Sequence, residues 1–171
     1  MICIDMSKCT GCRRCETTCS FFHSGRINSR ISRIKVIQMY ETGIDAPIVC
    51  QQCQERFCLK CPEGALSIGQ FGQIVYSPTV CTLCGVCENA CPIGAIELFQ
   101  DLVYVCDFCG GKPKCVEACT EGAIIIDYNQ KPPSFNKLKT AHKGMPPGEK
   151  RKKYLESESS RIRTAWRRRD A

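Results

Sequence analysis

The residues of this chain whose number and spacing could do chemistry are its cysteines, 17 in a chain of 171 residues. Sixteen of them fall into four groups of four, and each group opens with two cysteines that are separated by two residues. The groups are Cys9, Cys12, Cys15 and Cys19; Cys50, Cys53, Cys58 and Cys61; Cys81, Cys84, Cys87 and Cys91; and Cys106, Cys109, Cys115 and Cys119. Repetition of one short unit indicates tandem duplication.

The spacing of the cysteines indicates cubane [4Fe–4S] clusters. Three cysteines separated by two residues can wrap one face of a cube, whereas the fourth lies on a short helix that carries it towards a second cluster. Zinc ribbons need only two such pairs and have no use for the third cysteine. Disulfides need an oxidising compartment, and the N-terminus shows no export signal. The sequence therefore predicts metal ligation in a thiol-reducing, cytoplasmic setting, with zinc and disulfides as the rejected alternatives.

The segments between the cysteines predict short elements of both kinds. We expect helical turns over residues 15–22, 87–90 and 115–118, and strands over residues 1–5, 73–77 and 102–105. Three groups continue into Gly-Ala and an aliphatic run, which predicts a turn followed by a strand. An insertion over residues 20–49 contains one further predicted strand at 34–40.

The formal charge of +7 is concentrated near the C-terminus, where residues 131–171 hold 13 Lys or Arg and 4 Asp or Glu. No apolar run approaches the roughly 18 residues of a membrane-spanning helix, so no direct membrane insertion is expected. Nucleic-acid binding by the arginines of residues 161–169 is a remote alternative. We expect no nucleic-acid partner, because no groove-reading motif is present.

The basic segment 129–171 also carries a narrow apolar stripe. Leu155, Ile162 and Trp166 recur at spacings of seven and four, which places them on one face of a helix. The segment alone buries too little to be ordered. We therefore expect this tail to dock on a partner, which is either a catalytic subunit or a second copy of the chain.

Over residues 1–127 the order of the motifs resembles the four-cluster ferredoxin subunits of the dimethyl-sulfoxide-reductase electron-transfer type. Residues 19–34 are similar to the small iron–sulfur subunits of tungsten aldehyde oxidoreductase and benzoyl-CoA reductase complexes. The resemblance implies an α+β fold of two pseudo-two-fold ferredoxin-like modules around four [4Fe–4S] clusters, with an extended or helical tail. The expected domains are an outer module of residues 1–49 and 92–128, an inner module of residues 50–91, and the tail of residues 129–171.

The resemblance also implies crossed ligand sets, in which each cluster takes three cysteines from one group and the fourth from another. The implied sets are Cys9, Cys12, Cys15 and Cys119; Cys106, Cys109, Cys115 and Cys19; Cys50, Cys53, Cys58 and Cys91; and Cys81, Cys84, Cys87 and Cys61. The chain departs from the family pattern at Cys61, which follows its neighbour after two residues instead of three. It also has Ser20 and Thr120 where the family has proline.

The predicted function is one-electron relay between the catalytic subunit of a tungsten aldehyde oxidoreductase and a redox partner. No dinucleotide motif or nucleophile–base pair is present, so substrate chemistry is assigned to another subunit and the chain itself is not expected to be an enzyme. Expected partners are a tungsten or molybdenum catalytic subunit, with or without a flavoprotein subunit. Hydrogenase, formate dehydrogenase and benzoyl-CoA reductase complexes are the alternatives.

Two single residues are interpreted separately. Cys3 lies on a predicted strand and is expected to be a buried small hydrophobe. His23 either ends a helix or faces a partner, or it tunes a nearby cluster by hydrogen bonding.

Overall fold

The computed structural model describes residues 1–169, and within them the chain forms eight short strands and five α-helices. The strands are β1 (Ile2–Ile4), β2 (Lys35–Met39), β3 (Ile44–Ile48), β4 (Leu66–Ile68), β5 (Ile74–Tyr76), β6 (Glu97–Phe99), β7 (Leu102–Tyr104) and β8 (Ile124–Ile126). The helices are α1 (Arg14–Ser24), α2 (Val86–Ala90), α3 (Lys114–Glu117), α4 (Asn136–Ala141) and α5 (Pro147–Arg169). The predicted mixture of short helices and strands is confirmed.

The strands pair into antiparallel two-stranded sheets, of which three are local hairpins: β2–β3, β4–β5 and β6–β7. The fourth sheet joins β1 to β8, with Ile2 opposite Ile126 and Ile4 opposite Ile124. The pairing brings the first cysteine group, which follows β1, next to the last group, which precedes β8. A two-stranded ribbon is marginal by itself, so these sheets depend on what packs against them.

Helix α1 is the longest of the helices that carry cysteines. Cys15 and Cys19 lie four residues apart and are both buried, so they share its inner face. The helix ends at Gly25, which has a φ of 67° and donates its N–H to the Phe21 carbonyl at 2.8 Å. Glycine is suited to this left-handed cap because it has no Cβ.

The buried residues form two hydrophobic clusters, and each contains cysteines. One includes Cys15, Cys19, Cys106 and Cys115, whereas the other includes Cys58, Cys87 and Cys91. Cys50 packs against both clusters. These buried cysteines therefore form part of the interior of the fold.

The insertion over residues 20–49 forms a hairpin, not a single strand. The predicted strand at 34–40 is observed as β2, and β3 pairs with it along its whole length. The sequence analysis missed β3 because it contains Asp45 and Pro47, residue types that are depleted from strands.

The tail docks on its own chain. The prediction that its apolar stripe needs a separate partner is therefore wrong for Leu155 and Ile162. Leu155 is 0% exposed in the core, where Ile162 also packs, and helix α5 contacts β2 and β3. Phe135 meets Tyr154 edge to face, with ring centroids 5.8 Å apart. The apolar stripe indicated that the helix must pack on an apolar surface. That surface is the β2–β3 hairpin, which lies more than a hundred residues before Leu155 in the sequence. Trp166 stays 39% exposed, and residues 170 and 171 lie outside the described part of the chain.

Within residues 1–169, no helix is both long enough and apolar enough to cross a membrane.

The position of Leu155 generates a first test. We expect Leu155→Ala to lower the free energy of unfolding by about 3 kcal/mol, because it opens a cavity under α5. Trp166→Ala, on the same stripe but half exposed, should cost much less. The measurement is urea unfolding of anaerobic holoprotein by circular dichroism, and equal costs for the two variants would contradict the observed docking of α5.

Candidate metal centres

The cysteines converge at four places, each of which combines three cysteines of one sequence group with one from another. Three of these sets line cavities, the fourth is a cluster of sulfurs that act on one another electrostatically, and all four are called pockets below. We name each pocket by the first cysteine of the group that supplies three of its four sulfurs. The Cys9 pocket holds Cys9, Cys12, Cys15 and Cys119; the Cys50 pocket holds Cys50, Cys53, Cys58 and Cys91; the Cys81 pocket holds Cys61, Cys81, Cys84 and Cys87; and the Cys106 pocket holds Cys19, Cys106, Cys109 and Cys115. These combinations are the ones named from the resemblance, and ligation itself is taken up as a proposal below.

Burial raises the pKa of at least two thiols in every pocket except the Cys81 pocket, where it raises that of Cys87. It raises the pKa of Cys50 and of Cys115 to about 12, and neighbouring cysteine sulfurs add to the effect. Cys87 in the Cys81 pocket has its pKa raised to about 11 for the same leading reason. Four desolvated sulfurs that repel one another become stable as thiolates only around a cation. The donor set therefore fits an iron–sulfur cluster, whose irons supply that charge.

The backbone curls in the same way at the start of every group. The second residue after the first cysteine is left-handed in each case, with φ values of 68° at Gly11, 50° at Gln52, 56° at Leu83 and 60° at Phe108. Three of these four are not glycine, so each costs roughly 1–2 kcal/mol. Repeated strain of this kind is typical of functional sites.

The curl directs backbone N–H groups at the sulfurs. The amides of Gln52 and Phe108 lower the pKa values of Cys50 and Cys106, although burial remains the larger effect and both values are raised. Elsewhere, Arg33 N–H donates to Cys19 Sγ at 3.3 Å, and Ala95 N–H donates to Cys91 Sγ at 3.2 Å. Concave arrays of amides that follow left-handed residues favour anions. They would stabilise the negative charge of a thiolate-bound cluster.

The pockets differ in their access to the surface. Cys12 of the Cys9 pocket and Cys84 of the Cys81 pocket are exposed, whereas no cysteine of the Cys50 or Cys106 pocket is. Cys50 is also among the charges that raise the pKa of Cys106, so these two pockets are adjacent. Helix α1 carries Cys15 and Cys19 and links the Cys9 and Cys106 pockets, and Cys87 and Cys91, at either end of α2, link the Cys81 and Cys50 pockets.

His23 lies beside the Cys106 pocket. Its Nε2 is 3.6 Å from Cys109 Sγ and 3.5 Å from Asp107 Oδ1. Arg33 forms an ion pair with Asp107 at 2.5 Å. Burial, aided by the charge of Arg33, lowers the pKa of His23. This placement at the last turn of α1 favours hydrogen bonding to sulfur over a role in facing a partner.

Cys3 belongs to none of the pockets. It is half-buried on β1, and its Sγ lies 2.8 Å from Gln130 Oε1. The expectation that it is a buried small hydrophobe is wrong, because it is half-buried and pairs with the half-exposed Ile125 on the outer face of the β1–β8 ribbon.

The sequence analysis missed a set of tail residues that contact residues 88–94, which we call the Cys91 segment. Lys139, His142, Lys150 and Arg151 all hydrogen-bond to backbone carbonyls of residues 88–94. No local signal marks them, because their partners are 49 to 62 residues away along the chain.

Pockets of converging, buried thiols on a scaffold of short hairpins define an iron–sulfur protein of the ferredoxin class. The family model described as "4Fe-4S binding domain" matches residues 74–97, which span the third cysteine group. The polyferredoxin-like subunit of aliphatic sulfonate oxidoreductase from Pyrococcus furiosus is 44% identical over 139 residues, covering 77% of this chain and 80% of that protein. A subunit of anaerobic dimethyl sulfoxide reductase from Escherichia coli is 30% identical, covering 71% of this chain and 69% of that subunit.

A protein in the solved structure of the active site complex BamBC of benzoyl coenzyme A reductase is 28% identical, with 77% of this chain and 81% of that protein covered at a TM-score of 0.45. Given its relatives, the chain belongs to the family of polyferredoxin-like 4Fe-4S electron-transfer subunits. The prediction of an iron–sulfur electron-transfer subunit is confirmed.

The contact of His23 with Cys109 generates a second test. We expect His23→Leu to lower the midpoint potential of one cluster, because a hydrogen bond to sulfur stabilises the reduced state. His23→Gln keeps a donor and should move the potential less. EPR-monitored redox titration of the anaerobic protein measures both, and a potential unchanged in His23→Leu would rule out the tuning role.

Proposed function

We propose that each of the four pockets holds one [4Fe–4S] cluster and that the chain relays single electrons along the row they form. Each bound cluster would accept and release one electron. The observation that carries the proposal is the crossed grouping of buried thiols, in which three cysteines of one group meet the fourth of another. The assignment includes Cys61, which lines the Cys81 pocket despite its short spacing.

The order of the pockets supports a relay with two ends. The links through α1 and α2, and the proximity of Cys50 to Cys106, favour the order Cys9, Cys106, Cys50 and Cys81. The exposed thiols Cys12 and Cys84 then lie in the two terminal pockets. Electrons would enter and leave at these two pockets, and the interior pockets would be shielded from water.

The division into modules is part of the same proposal. The pairing of β1 with β8 and the packing of α1 on α3 support an outer module that holds the Cys9 and Cys106 pockets. Helix α2 packs on the helical turn Phe57–Leu59, which supports an inner module that holds the other two. Leu98 and Val103 also line the Cys81 pocket, so the β6–β7 hairpin serves the inner module too.

Iron content tests the four-cluster assignment. We expect anaerobically purified protein to contain about sixteen irons per chain, as four cubane clusters require. Cys115→Ser should lose about four of them, because it removes one buried ligand. Cys3→Ser is the matched control and should retain the full content. Iron near eight in the unaltered protein would overturn the assignment.

We further propose that the partner at one end of the row is the catalytic subunit of a tungsten aldehyde oxidoreductase. The similarity of residues 19–34 to the small subunits of such complexes supports this choice, as does the occurrence of relatives in oxidoreductases that have several subunits. An aliphatic sulfonate oxidoreductase is the second candidate, favoured by the 44% identity over 77% of the chain. Because cluster assembly on free thiols needs a reducing compartment, we place the protein in the cytoplasm.

Co-purification distinguishes these partners. A tagged chain isolated anaerobically from its own cells should bring down a larger subunit that contains tungsten, detected by elemental analysis. An aldehyde should then reduce the clusters faster than an alkyl sulfonate does. A co-purifying subunit without tungsten, or reduction by the sulfonate alone, would contradict the aldehyde oxidoreductase assignment.

A further inference from the structure

The segment 88–94 is held by side chains of the tail. Lys150 Nζ donates to the carbonyls of Glu88 at 3.1 Å and Asn89 at 2.9 Å, and Lys139 Nζ donates to those of Asn89 and Ala90 at 3.4 and 3.2 Å. The remaining contacts are from His142 Nδ1 to Pro92 O and from Arg151 Nη1 to Gly94 O, each at 2.8 Å. This segment carries Cys91, the cysteine of the Cys50 pocket that comes from the third group.

Lys150 is the unusual member of this set, because it is 1% exposed. Its neighbour Arg151 is also buried but has a carboxylate partner, Glu97, at 3.3 Å. In the described part of the chain Lys150 forms no ion pair, and its hydrogen bonds all go to neutral carbonyls. Burying an ammonium group without a counter-charge is costly.

Helix termini compensate part of that cost. Helix α2 ends at Ala90, and its last carbonyls carry the negative end of the helix dipole, to which lysine side chains bind favourably. A helix of five residues has a small dipole, however, and a solvated lysine could cap it without burial. A full negative charge nearby would explain the burial of Lys150 better.

Two negative groups act on Lys150: the Cys91 sulfur of the Cys50 pocket and, more weakly, the Glu88 carboxylate, which accepts the Leu98 N–H at 3.3 Å. Burial lowers the pKa of Lys150, and the Cys91 sulfur is the largest effect that raises it. Arg56 adds a second positive charge near Cys50. Glu55, which acts on Cys53 in the opposite sense, is half-exposed, so water partly screens its charge.

We propose that Lys150, assisted by Lys139, is a built-in counter-charge that raises the reduction potential of the cluster in the Cys50 pocket above that of its neighbour in the Cys81 pocket. The inference rests on the proposed function. One electron taken from the donor makes the thiolate-bound cluster more negative by one unit, and no proton or further reactant is involved. The ammonium groups stabilise the more negative state more strongly.

The charge pattern around the Cys81 pocket supports the difference between the two. The effects that raise the pKa of Cys87 are its burial and the sulfurs of Cys61 and Cys81, and the effects that lower it come from backbone N–H groups of Cys87 and Glu88. Residues 74–87 contain no lysine or arginine, and Lys60, which precedes Cys61, is exposed to solvent. Electrons that enter at the Cys81 end would therefore collect at the Cys50 pocket.

The matched experiment removes the charge and keeps the helix. In full-length anaerobic protein, Lys150→Met should lower the ratio of reduced to oxidised cluster about tenfold for a single cluster at fixed ambient potential, which corresponds to about 59 mV for one electron. Lys150→Arg should keep the native ratio. Lys152→Met, an exposed lysine on the same helix, should also leave it unchanged. EPR-monitored titration gives the ratio, and iron analysis checks that the cluster is present.

Two outcomes would overturn the inference. One is an unchanged ratio in an iron-replete Lys150→Met variant. If that variant loses iron instead, the half-buried Lys139→Met is titrated, and an unchanged ratio there has the same consequence. If the proposed function is wrong, the unaltered protein will lack iron. If only this inference is wrong, the unaltered protein will contain four clusters, and the potentials of the variants will equal those of the unaltered protein.

Discussion

The constraint on which this structure depends is that no cysteine group can fill a pocket alone. Three thiols of a group face one pocket, and the helix or turn that follows carries the fourth to another. Every pocket therefore needs two segments that are far apart in sequence. The β1–β8 ribbon satisfies this need by joining the two ends of the cysteine-bearing region, and helix α2 satisfies it between the second and third groups.

Electrostatics is the second constraint, because the pockets concentrate groups that are negative when they bind metal. Burial raises the pKa values of Cys50 and Cys106, and backbone amides oppose this effect at both thiols, as does the charge of Arg56 at Cys50. Left-handed residues such as Gln52 and Phe108 turn N–H groups towards sulfur at a local cost in strain. The basic tail belongs to the same arrangement: two of its lysines lie at the Cys91 segment instead of in solvent.

The tail also completes the hydrophobic core. Without the cysteines, the aliphatic runs of the chain are too short to stabilise a domain of this size unaided. Leu155 and Tyr154 close the core over the β2–β3 hairpin, and Phe135 packs against Tyr154. The inserted hairpin and the C-terminal helix are therefore packed against each other although they are about a hundred residues apart in the sequence.

The sequence by itself determined that the cysteines suit iron–sulfur clusters, because the spacing of thiols is a local property that fixes how many sulfurs can face one metal site. It also predicted the cysteine-bearing helices and the strands after Gly64, Gly94 and Gly122, whose turns depend on adjacent residues. Only the tertiary structure decided where the tail docks, that β3 pairs with β2, and that Lys150 is buried beside Cys91. These features arise from contacts between distant segments, which hydrophobic periodicity and charge counts do not specify.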